Sequence, residues 1–380
     1  MQNNFIKVDD QNIPVDIKTS EENKVPVIRA KNLKVHFKSG TGKDKLVVKA
    51  VDGVNFDIYK GEILGMVGES GCGKTTTGRA LIRLHDPSDG SVEFLGKTIV
   101  EGTDSNFEAI QEAKSIIKEA KDSSKKQEAK ESIVFNKKEI KRKNALNKKM
   151  DMELMKKMQM IFQDPIASLD PRMTVREIIA EGLYIAGEKN KDKIDKEVNS
   201  VLETVGLTPE HAGRYPHEFS GGQRQRIGIA RALVLNPEFL IADEPISALD
   251  VSIQAQIINL LNDLRDSLGI TILFVAHDLS VVKYFSDRVA VMYFGNMVEL
   301  ASTQELFDNP MHPYTKSLLS AVPLPDPNYE KYRRRMVYDA NTAHDYEKEK
   351  PWFQEITKGH FVLANSEEMS RYRKEIGIDE

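Results

Sequence analysis

Cysteine is nearly absent from this chain of 380 residues, whose one thiol belongs to Cys72. A single thiol supports neither an internal disulfide nor a metal site built from cysteines. The composition therefore excludes a disulfide-stapled secreted domain and fits a reducing, cytosolic setting.

Long apolar runs and an excess of basic charge are also missing. The apolar runs, such as residues 271–276, fall far short of the roughly 18 residues that a membrane-spanning helix needs. The first residues lack the basic start and apolar core of a signal peptide, so we expect none. Because the formal net charge is −4, no overall positive field draws the chain to nucleic acid or anionic lipid. Any work at a membrane would then require docking on another protein there.

The order of short apolar runs and helical patterns indicates the fold class. Residues 1–25 are polar, which predicts a flexible extension. Beyond them, apolar strands alternate with segments of helical period, as in an α/β fold. The predicted strands are 27–37, 47–58, 63–67, 91–95, 158–162, 239–242, 271–275, 288–292 and 297–300. The predicted helices are 74–84, 175–186, 193–205, 222–233, 251–268, 279–285 and 314–321.

A charged segment interrupts this order between about residues 101 and 157, where Lys, Glu, Asn, Ser and Ala dominate. This composition predicts one or two charged helices that project from the body as a solvated arm. Its end at residues 137–149 is rich in Lys and Arg, which leaves a contact with nucleic acid or lipid open.

The strongest chemical motif is the phosphate-binding loop, residues 68–75, which reads Gly-Glu-Ser-Gly-Cys-Gly-Lys-Thr and follows a predicted strand. Its glycines allow successive backbone N–H groups to surround a phosphate, and the following helix directs its positive end at the same anion. Lys74 would add a charge for the β- and γ-phosphates, and the Thr75 hydroxyl would ligate Mg²⁺. The Cys72 thiol is incidental here, because that residue would contribute its backbone amide. The residues assigned to ATP in this region are Gly68, Ser70, Gly71, Cys72, Gly73, Lys74, Thr75 and Thr76.

Two carboxylates supply the second half of a hydrolytic site. An apolar strand at residues 239–242 ends in Asp243 and Glu244. In a parallel sheet this position lies beside the phosphate-binding loop, so Asp243 would hold Mg²⁺ through water and Glu244 would polarise the attacking water. In isolation, an ordinary strand end with two solvated acids would look the same.

Three more motifs follow strands or begin helices. His277 and Gln163 each follow a predicted strand, at the sheet edge where such folds bind ligands. His277 would contact the γ-phosphate and orient Glu244 or the water, and Gln163 would reach Mg²⁺ or the water. Each residue alone is also compatible with a structural role. Residues 220–223, Ser-Gly-Gly-Gln, make a second anion-binding helix start, although a simple helix cap has the same pattern.

In this order the motifs resemble the ATP-binding cassette (ABC) ATPases over roughly residues 27–322. The resemblance implies ATP and Mg²⁺ as cofactors and an ABC ATPase domain at 26–323. This domain would contain an antiparallel N-terminal β-subdomain and a helical subdomain at about 165–235, and a C-terminal extension would cover 324–380. It assigns Ser220, Gly221, Gly222 and Gln223 to a signature that contacts the ATP of a partner subunit, and Asp250 to communication between the sites. Phe37 becomes the leading candidate to stack on adenine, ahead of His36 and Tyr59.

A narrower resemblance is to the peptide-import branch of this family, carried by residues 163–171, 247–256 and 312–327. The last of these segments is similar to the F-type ATPases of oligopeptide importers, as is the run 359–365. The branch implies ATP hydrolysis that powers oligopeptide uptake at the cytoplasmic face of a bacterial plasma membrane. Its implied partners are a D-type ABC ATPase as heterodimer partner, two transmembrane permease subunits and an extracytoplasmic peptide-binding protein, with no nucleic acid.

Some features depart from that pattern. Many relatives carry a C-terminal cysteine cluster for an iron–sulfur centre, which this chain cannot form. Phe219 replaces the usual leucine before the signature, and the charged segment is longer than usual. A soluble ABC ATPase acting on DNA or ribosomes remains an alternative, favoured by the Lys-rich segment alone. A cassette that imports nickel or another small solute would share every catalytic residue.

Overall fold

The computed structural model describes residues 25–40, 46–149, 151–322 and 335–378. The predicted N-terminal extension therefore lies, except for Val25, outside the described residues. The strands of this part are β1 Pro26–Ser39, β2 Leu46–Tyr59, β3 Ile63–Val67, β4 Asp89–Phe94, β5 Lys97–Glu101, β6 Met158–Ile161, β7 Phe239–Asp243, β8 Thr271–Val275, β9 Arg288–Tyr293, β10 Asn296–Ser302, β11 Trp352–Thr357 and β12 His360–Ala364.

The helices connect these strands or project from them. Two short 3₁₀ helices, Pro209–Gly213 and Pro216–Glu218, also occur. The α-helices are α1 Lys74–Leu81, α2 Asp104–Glu119, α3 Ser123–Lys148, α4 Met152–Lys156, α5 Val175–Ile185, α6 Lys191–Thr204, α7 Gly221–Leu233, α8 Val251–Leu268, α9 Leu279–Phe285, α10 Thr303–Asp308, α11 Pro313–Ala321, α12 Ala340–Ala343 and α13 Ser366–Glu375. None of the described helices is both long enough and apolar enough to cross a bilayer.

The larger sheet has the strand order β11-β12-β10-β9-β3-β8-β7-β6. Strands β9, β3, β8, β7 and β6 run parallel to one another, and β3, β7 and β8 are buried throughout. Short apolar strands buried on both faces are what a parallel sheet covered by helices requires. Because the carboxyl ends of parallel strands share one edge, the segments that follow β3, β6, β7 and β8 meet there. The predicted α/β fold with a mostly parallel core sheet is confirmed.

A smaller antiparallel sheet, in the order β2-β1-β4-β5, forms the predicted N-terminal β-subdomain. It is joined to the larger sheet at the turn between β9 and β10, where the Asp52 N–H donates to the Gly295 carbonyl at 2.8 Å. Strand β5 was not predicted, because its polar sequence Lys-Thr-Ile-Val-Glu merges with the charged segment behind it.

The charged segment forms the predicted helical insertion. Helices α2 and α3 pack against each other as a hairpin, which we call the charged hairpin. Its base is fixed to β5, because the Asn147 side chain accepts from the Glu101 N–H at 3.1 Å and donates to the Glu101 carbonyl at 2.8 Å. Arg83, just beyond α1, also donates to the Asn147 carbonyl at 2.6 Å.

The helical subdomain contains α5, α6 and α7. Helix α5 begins with a capping box between Thr174 and Glu177 and buries one apolar face, including Ile178 and Ile179. Such a cap satisfies backbone N–H groups that have no partner in the first turn.

The C-terminal region, by which we mean the described residues 296–322 and 335–378, extends the larger sheet. Strand β12 pairs with β10, and β11 pairs with β12, all antiparallel. The run 359–365, whose physical role the sequence did not reveal, is thus largely an inner strand of the sheet. Glu299 of the neighbouring strand β10 is fully buried and contacts Nε2 of His360 in β12 at 2.8 Å.

Candidate functional site

The phosphate-binding loop joins β3 to α1 in a conformation that only glycine tolerates at two positions. Gly68 has φ 148° and Gly73 has φ 109°. A Cβ at Gly68 would lie 2.2 Å from the Met292 carbonyl oxygen, and one at Gly73 would lie 2.1 Å from that of Ala50. The loop therefore follows its curved path only because neighbouring backbone can approach it this closely.

Lys74 is buried at the start of α1. Its Nζ donates to the carbonyls of Gly68 at 2.7 Å and Glu69 at 2.9 Å. The ammonium is thus held inside the curve of the loop, where an anion bound by the loop's N–H groups would meet a positive charge.

Thr75 and Asp243 form a pair of oxygen ligands beside the loop. The Thr75 hydroxyl donates to Asp243 Oδ1 at 2.8 Å. Asp243 Oδ2 is buried and has no hydrogen-bond partner among the described residues. Burial raises the pKa of the Asp243 carboxyl, while the Thr75 hydrogen bond opposes this shift. A buried carboxylate oxygen without a partner, next to a hydroxyl, fits a hard divalent cation such as Mg²⁺.

Glu244 occupies the centre of the site with a left-handed backbone, φ 44°. Its N–H donates to the Val275 carbonyl at 2.9 Å, which ties the turn after β7 to β8. Glu244 Oε2 accepts from Gln163 Nε2 at 2.8 Å and lies 3.6 Å from His277 Nδ1. The structure therefore brings together the three residues that were predicted to act on water. A non-glycine residue with positive φ is strained, which is typical of side chains held for function.

The phosphate-binding loop, Gln163, Glu244 and His277 surround one pocket of about 450 Å³, whereas the fully buried Asp243 does not line it. Its lining residues are Ala50, Ser70, Gly71, Gly73, Lys74, Thr75, Thr76, Gln163, Glu244 and His277. Among the predicted ATP residues of the loop, Gly68 and Cys72 do not line the pocket. Cys72 is buried behind the loop, and burial raises the pKa of its thiol, so the thiol is not activated as a nucleophile.

Phe37, the predicted adenine-stacking residue, is 44% exposed and does not line the pocket. It pairs with Val48 across β1 and β2, two residues from the pocket-lining Ala50, and its ring contacts His85 edge-on. The alternatives are engaged elsewhere: His36 contacts Asp52 at 2.9 Å, and Tyr59 is buried beneath Arg288. The adenine-stacking role of Phe37 thus remains a prediction.

The predicted signature, residues 220–223, lies outside this pocket and begins α7. Ser220 and Gln223 form a reciprocal capping box, and Ser220 and Gly221 are exposed. Gly222 packs on α8, where a Cβ would lie 2.6 Å from Ile253 Cγ2. Asp250, at the N-terminus of α8, is exposed as well. An exposed helix start of this kind can meet a ligand held by another molecule.

Sequence reasoning missed Tyr314 as a part of this site. Its hydroxyl accepts from the Glu69 N–H of the phosphate-binding loop at 3.0 Å, across 245 residues of chain. The His-Pro-Tyr motif at residues 312–314 served only as a mark of resemblance, and no local pattern reveals that its tyrosine reaches the loop. Ala50 was missed as well, since a small side chain on a strand carries no signal of ligand contact.

Three features together define an ATP-binding cassette ATPase. They are a glycine-rich loop between the parallel strand β3 and a helix, two carboxylates at the end of β7, which is separated from β3 by β8, and a separate exposed signature. The sequence model of the family described as ABC transporter matches residues 51–128 and 114–247, and the chain belongs to this family. It therefore binds nucleotide, and its ATP hydrolysis is coupled to transport. A second model, described as oligopeptide/dipeptide transporter, C-terminal region, matches residues 298–347.

Matches to named relatives extend over almost the whole chain. The chain is 52% identical to the oligopeptide transport ATP-binding protein OppF of Bacillus subtilis over 347 residues, which cover 91% of this chain and 98% of that protein. It is 48% identical to AmiF of Streptococcus pneumoniae over 349 residues, with 92% and 98% covered. Among solved structures, the dimeric ATP-binding cassette MJ0796, in a post-hydrolysis state bound to ADP and Pi, matches with a TM-score of 0.54 and 25% identity, with 73% of this chain and 98% of that chain covered.

Proposed function

We propose that this chain is the F-type ATPase subunit of a bacterial oligopeptide importer. The names of the OppF and AmiF relatives and the C-terminal family match at residues 298–347 support peptides over nickel or another small solute. The subunit would act as a heterodimer with a D-type ATPase at the cytoplasmic face of the plasma membrane, bound to two permease subunits. An extracytoplasmic peptide-binding protein would deliver the substrate.

In the proposed site, the phosphate-binding loop holds the phosphates of ATP through its backbone N–H groups and Lys74. The pocket-lining Ser70 and Thr76 extend this cradle, and Phe37 stacks on adenine. Thr75 and Gln163 would hold Mg²⁺, with Asp243 acting through water, and this ion would neutralise charge on the β- and γ-phosphates.

The observation that carries the proposal is the position of Glu244 between two polar partners. Gln163 Nε2 and His277 Nδ1 approach the same carboxylate oxygen, Oε2, at 2.8 and 3.6 Å. A carboxylate that lines the pocket and is held in this way is placed to accept a proton from the attacking water. His277, whose side chain is 60% exposed, would contact the γ-phosphate. The chain's part in the reaction is thus positioning and charge stabilisation.

The site as proposed is shared between two subunits. None of residues 220–223 lines the pocket of their own chain, and Ser220 and Gly221 are exposed, so this segment would close over ATP bound by the partner ATPase. Asp250 would signal between the two sites. Closure would reach the permeases through the segment behind Gln163, at residues 167–175, in which Ala167, Pro171 and Arg172 are exposed.

Substitution of the base tests the mechanism. Glu244→Gln should bind ATP normally with its partner ATPase but hydrolyse it about 10²- to 10⁴-fold more slowly, which is the usual contribution of a general base. Glu238→Gln makes the same chemical change at the start of β7, where Glu238 contacts Lys157 on the surface, and should keep full turnover. Wild-type turnover by Glu244→Gln would refute the assignment of the base.

A separate experiment tests the substrate and the partners. The tagged chain, expressed with its native neighbours, should co-purify with a second ABC ATPase and two membrane proteins. Reconstituted in vesicles with the binding protein, that complex should hydrolyse ATP faster when peptides are added, and nickel salts should have no such effect. Stimulation by nickel alone, or salt-sensitive binding of RNA by the purified chain, would overturn the peptide assignment.

A further inference from the structure

Tyr314 connects the C-terminal region to the phosphate-binding loop. Its hydroxyl oxygen accepts a hydrogen bond from the Glu69 N–H at 3.0 Å. Glu69 is the second residue of the loop, and its carbonyl accepts from Lys74 Nζ at 2.9 Å and from the Cys72 N–H at 3.3 Å. Tyr314 therefore holds the N–H of Glu69, and the carbonyl of the same residue holds Lys74.

The Tyr314 side chain has little freedom to leave this contact. It is 2% exposed, and its ring packs against Tyr293 at 4.5 Å and Tyr338 at 5.4 Å between ring centroids. Burial raises the pKa of the Tyr314 phenol, so the hydroxyl stays neutral at physiological pH. A buried aromatic ring with a single polar end is a rigid device for placing one hydrogen-bonding atom.

The backbone that carries Tyr314 is equally well fixed. The Tyr314 N–H donates to His312 Nδ1 at 3.1 Å. The N–H groups of His312 and Met311 in turn donate to the two oxygens of Glu299 at 3.0 and 2.7 Å. Burial lowers the pKa of the His312 ring well below its ordinary value, which agrees with a neutral imidazole that accepts at Nδ1. A continuous set of hydrogen bonds thus runs from β10 to the loop.

We propose that Tyr314 is a positioning residue of the nucleotide site, and that the C-terminal region holds the phosphate-binding loop in its binding conformation through this hydroxyl. The inference rests on the proposed ATP site at residues 68–75. Tyr314 does not line the pocket, so it acts on the nucleotide only through Glu69. Ordering the loop before ATP arrives lowers the entropic cost of binding.

Removal of the single oxygen tests this role. Tyr314→Phe keeps the ring and its packing but leaves the Glu69 N–H without its acceptor. Loss of one neutral hydrogen bond that orders a binding loop should raise the dissociation constant of a fluorescent ATP analogue about three- to tenfold. The KM for ATP should rise by the same factor, while kcat at saturating ATP with the partner present should change little.

Tyr338→Phe is the matched control. It deletes a hydroxyl from the same aromatic cluster, where Tyr338 contacts His344 Nε2 at 2.9 Å and not the loop. This variant should bind ATP as the wild type does. Equal ATP affinity of Tyr314→Phe and the wild type would overturn the inference alone, and so would an equal loss in both variants, since that would indicate general loosening. Failure of the wild type to bind ATP would overturn the proposed function and this inference with it.

Discussion

Glu299→Gln should lower the free energy of unfolding of the C-terminal part of the larger sheet. The size of the loss follows from the number of N–H groups that donate to the Glu299 carboxylate. Glu299 is fully buried, and its Oε1 accepts from the Met311 N–H at 2.7 Å and contacts His360 Nε2 at 2.8 Å. Its Oε2 accepts from the His312 N–H at 3.0 Å. All of these partners approach a side chain that, as a carboxylate, only accepts.

Glutamine has the same shape but a different hydrogen-bonding capacity, because one oxygen becomes an NH₂ donor. If the amide oxygen takes the position of Oε1, the NH₂ group faces the His312 N–H. If it takes the position of Oε2, the NH₂ group faces the Met311 N–H. One buried backbone N–H loses its acceptor in either orientation, which costs about 1–3 kcal/mol.

Urea unfolding followed by tryptophan fluorescence provides the assay. The chain has one tryptophan, Trp352, which lies in β11 and pairs with Ala364 of β12, so its emission reports on this edge of the sheet. The Glu299→Gln transition should shift to lower urea by an amount equivalent to that cost, with an unchanged slope.

Glu305→Gln is the control, since Glu305 approaches the other ring nitrogen of His360 at 3.5 Å but its side chain is 35% exposed. It should cost less than about 0.5 kcal/mol, as expected for a partly solvated contact. An unshifted transition for Glu299→Gln, or an equal shift for both variants, would refute the reasoning from donors.

Three further predictions concern the site and the charged hairpin. Asp243→Asn should abolish hydrolysis yet stabilise the fold at pH 7 without Mg²⁺. Burial raises the pKa of Asp243, so folding stability falls as pH rises through the window between the ordinary and the raised value. The melting temperatures of the two proteins should therefore converge as the pH falls below the ordinary pKa of an aspartate, and an Asn variant less stable at pH 7 would contradict this. Gly222→Ala should displace α7 from Ile253, given the 2.6 Å approach, and cost about 1–3 kcal/mol. Hydrolysis by the heterodimer should fall while ATP binding to the phosphate-binding loop persists, and unchanged turnover would show that α7 adapts. Replacement of residues 103–150 by a short glycine linker should leave ATP turnover within about twofold, because no residue of the charged hairpin lines the pocket. Failure of that variant to fold would show that its bonds to Glu101 and Arg83 are essential.

The core sheet was predictable because its signals are local. Strands β3 and β8 and helices α8 and α9 have the bounds that the sequence predicted. Short, mostly apolar runs bounded by turns are typical of buried parallel strands, and helix α8 repeats its apolar residues at helical spacing. The order of strands and the position of each motif at a strand end then brought the pocket residues together.

The C-terminal strands were not predicted, and the reason is their dependence on distant partners. The run His-Phe-Val-Leu-Ala of β12 is mostly apolar, but its partners are distant in sequence. It pairs with β10, and His360 contacts Glu299, 61 residues away. Helix α10 was missed because it is short and follows β10 directly, with only a serine cap as a signal. Long-range pairings of this kind leave no trace in a window of ten or fifteen residues.

The hydrogen bond from Tyr314 and the proposed contact from a partner's signature would act on the nucleotide site at different stages. The contact from Tyr314 is made within the chain, so it is present before a partner subunit binds. In the proposed dimer the signature of a partner would act only after the two ATPases meet, because Ser220 and Gly221 of this chain are exposed at the start of α7 and outside its own pocket. Ordering of the loop by the C-terminal region should therefore govern the affinity of the single subunit for ATP. Closure by the partner should govern hydrolysis, which needs Glu244 and one attacking water in a site that excludes bulk solvent. A change in the C-terminal region would then weaken ATP binding without altering the chemical step.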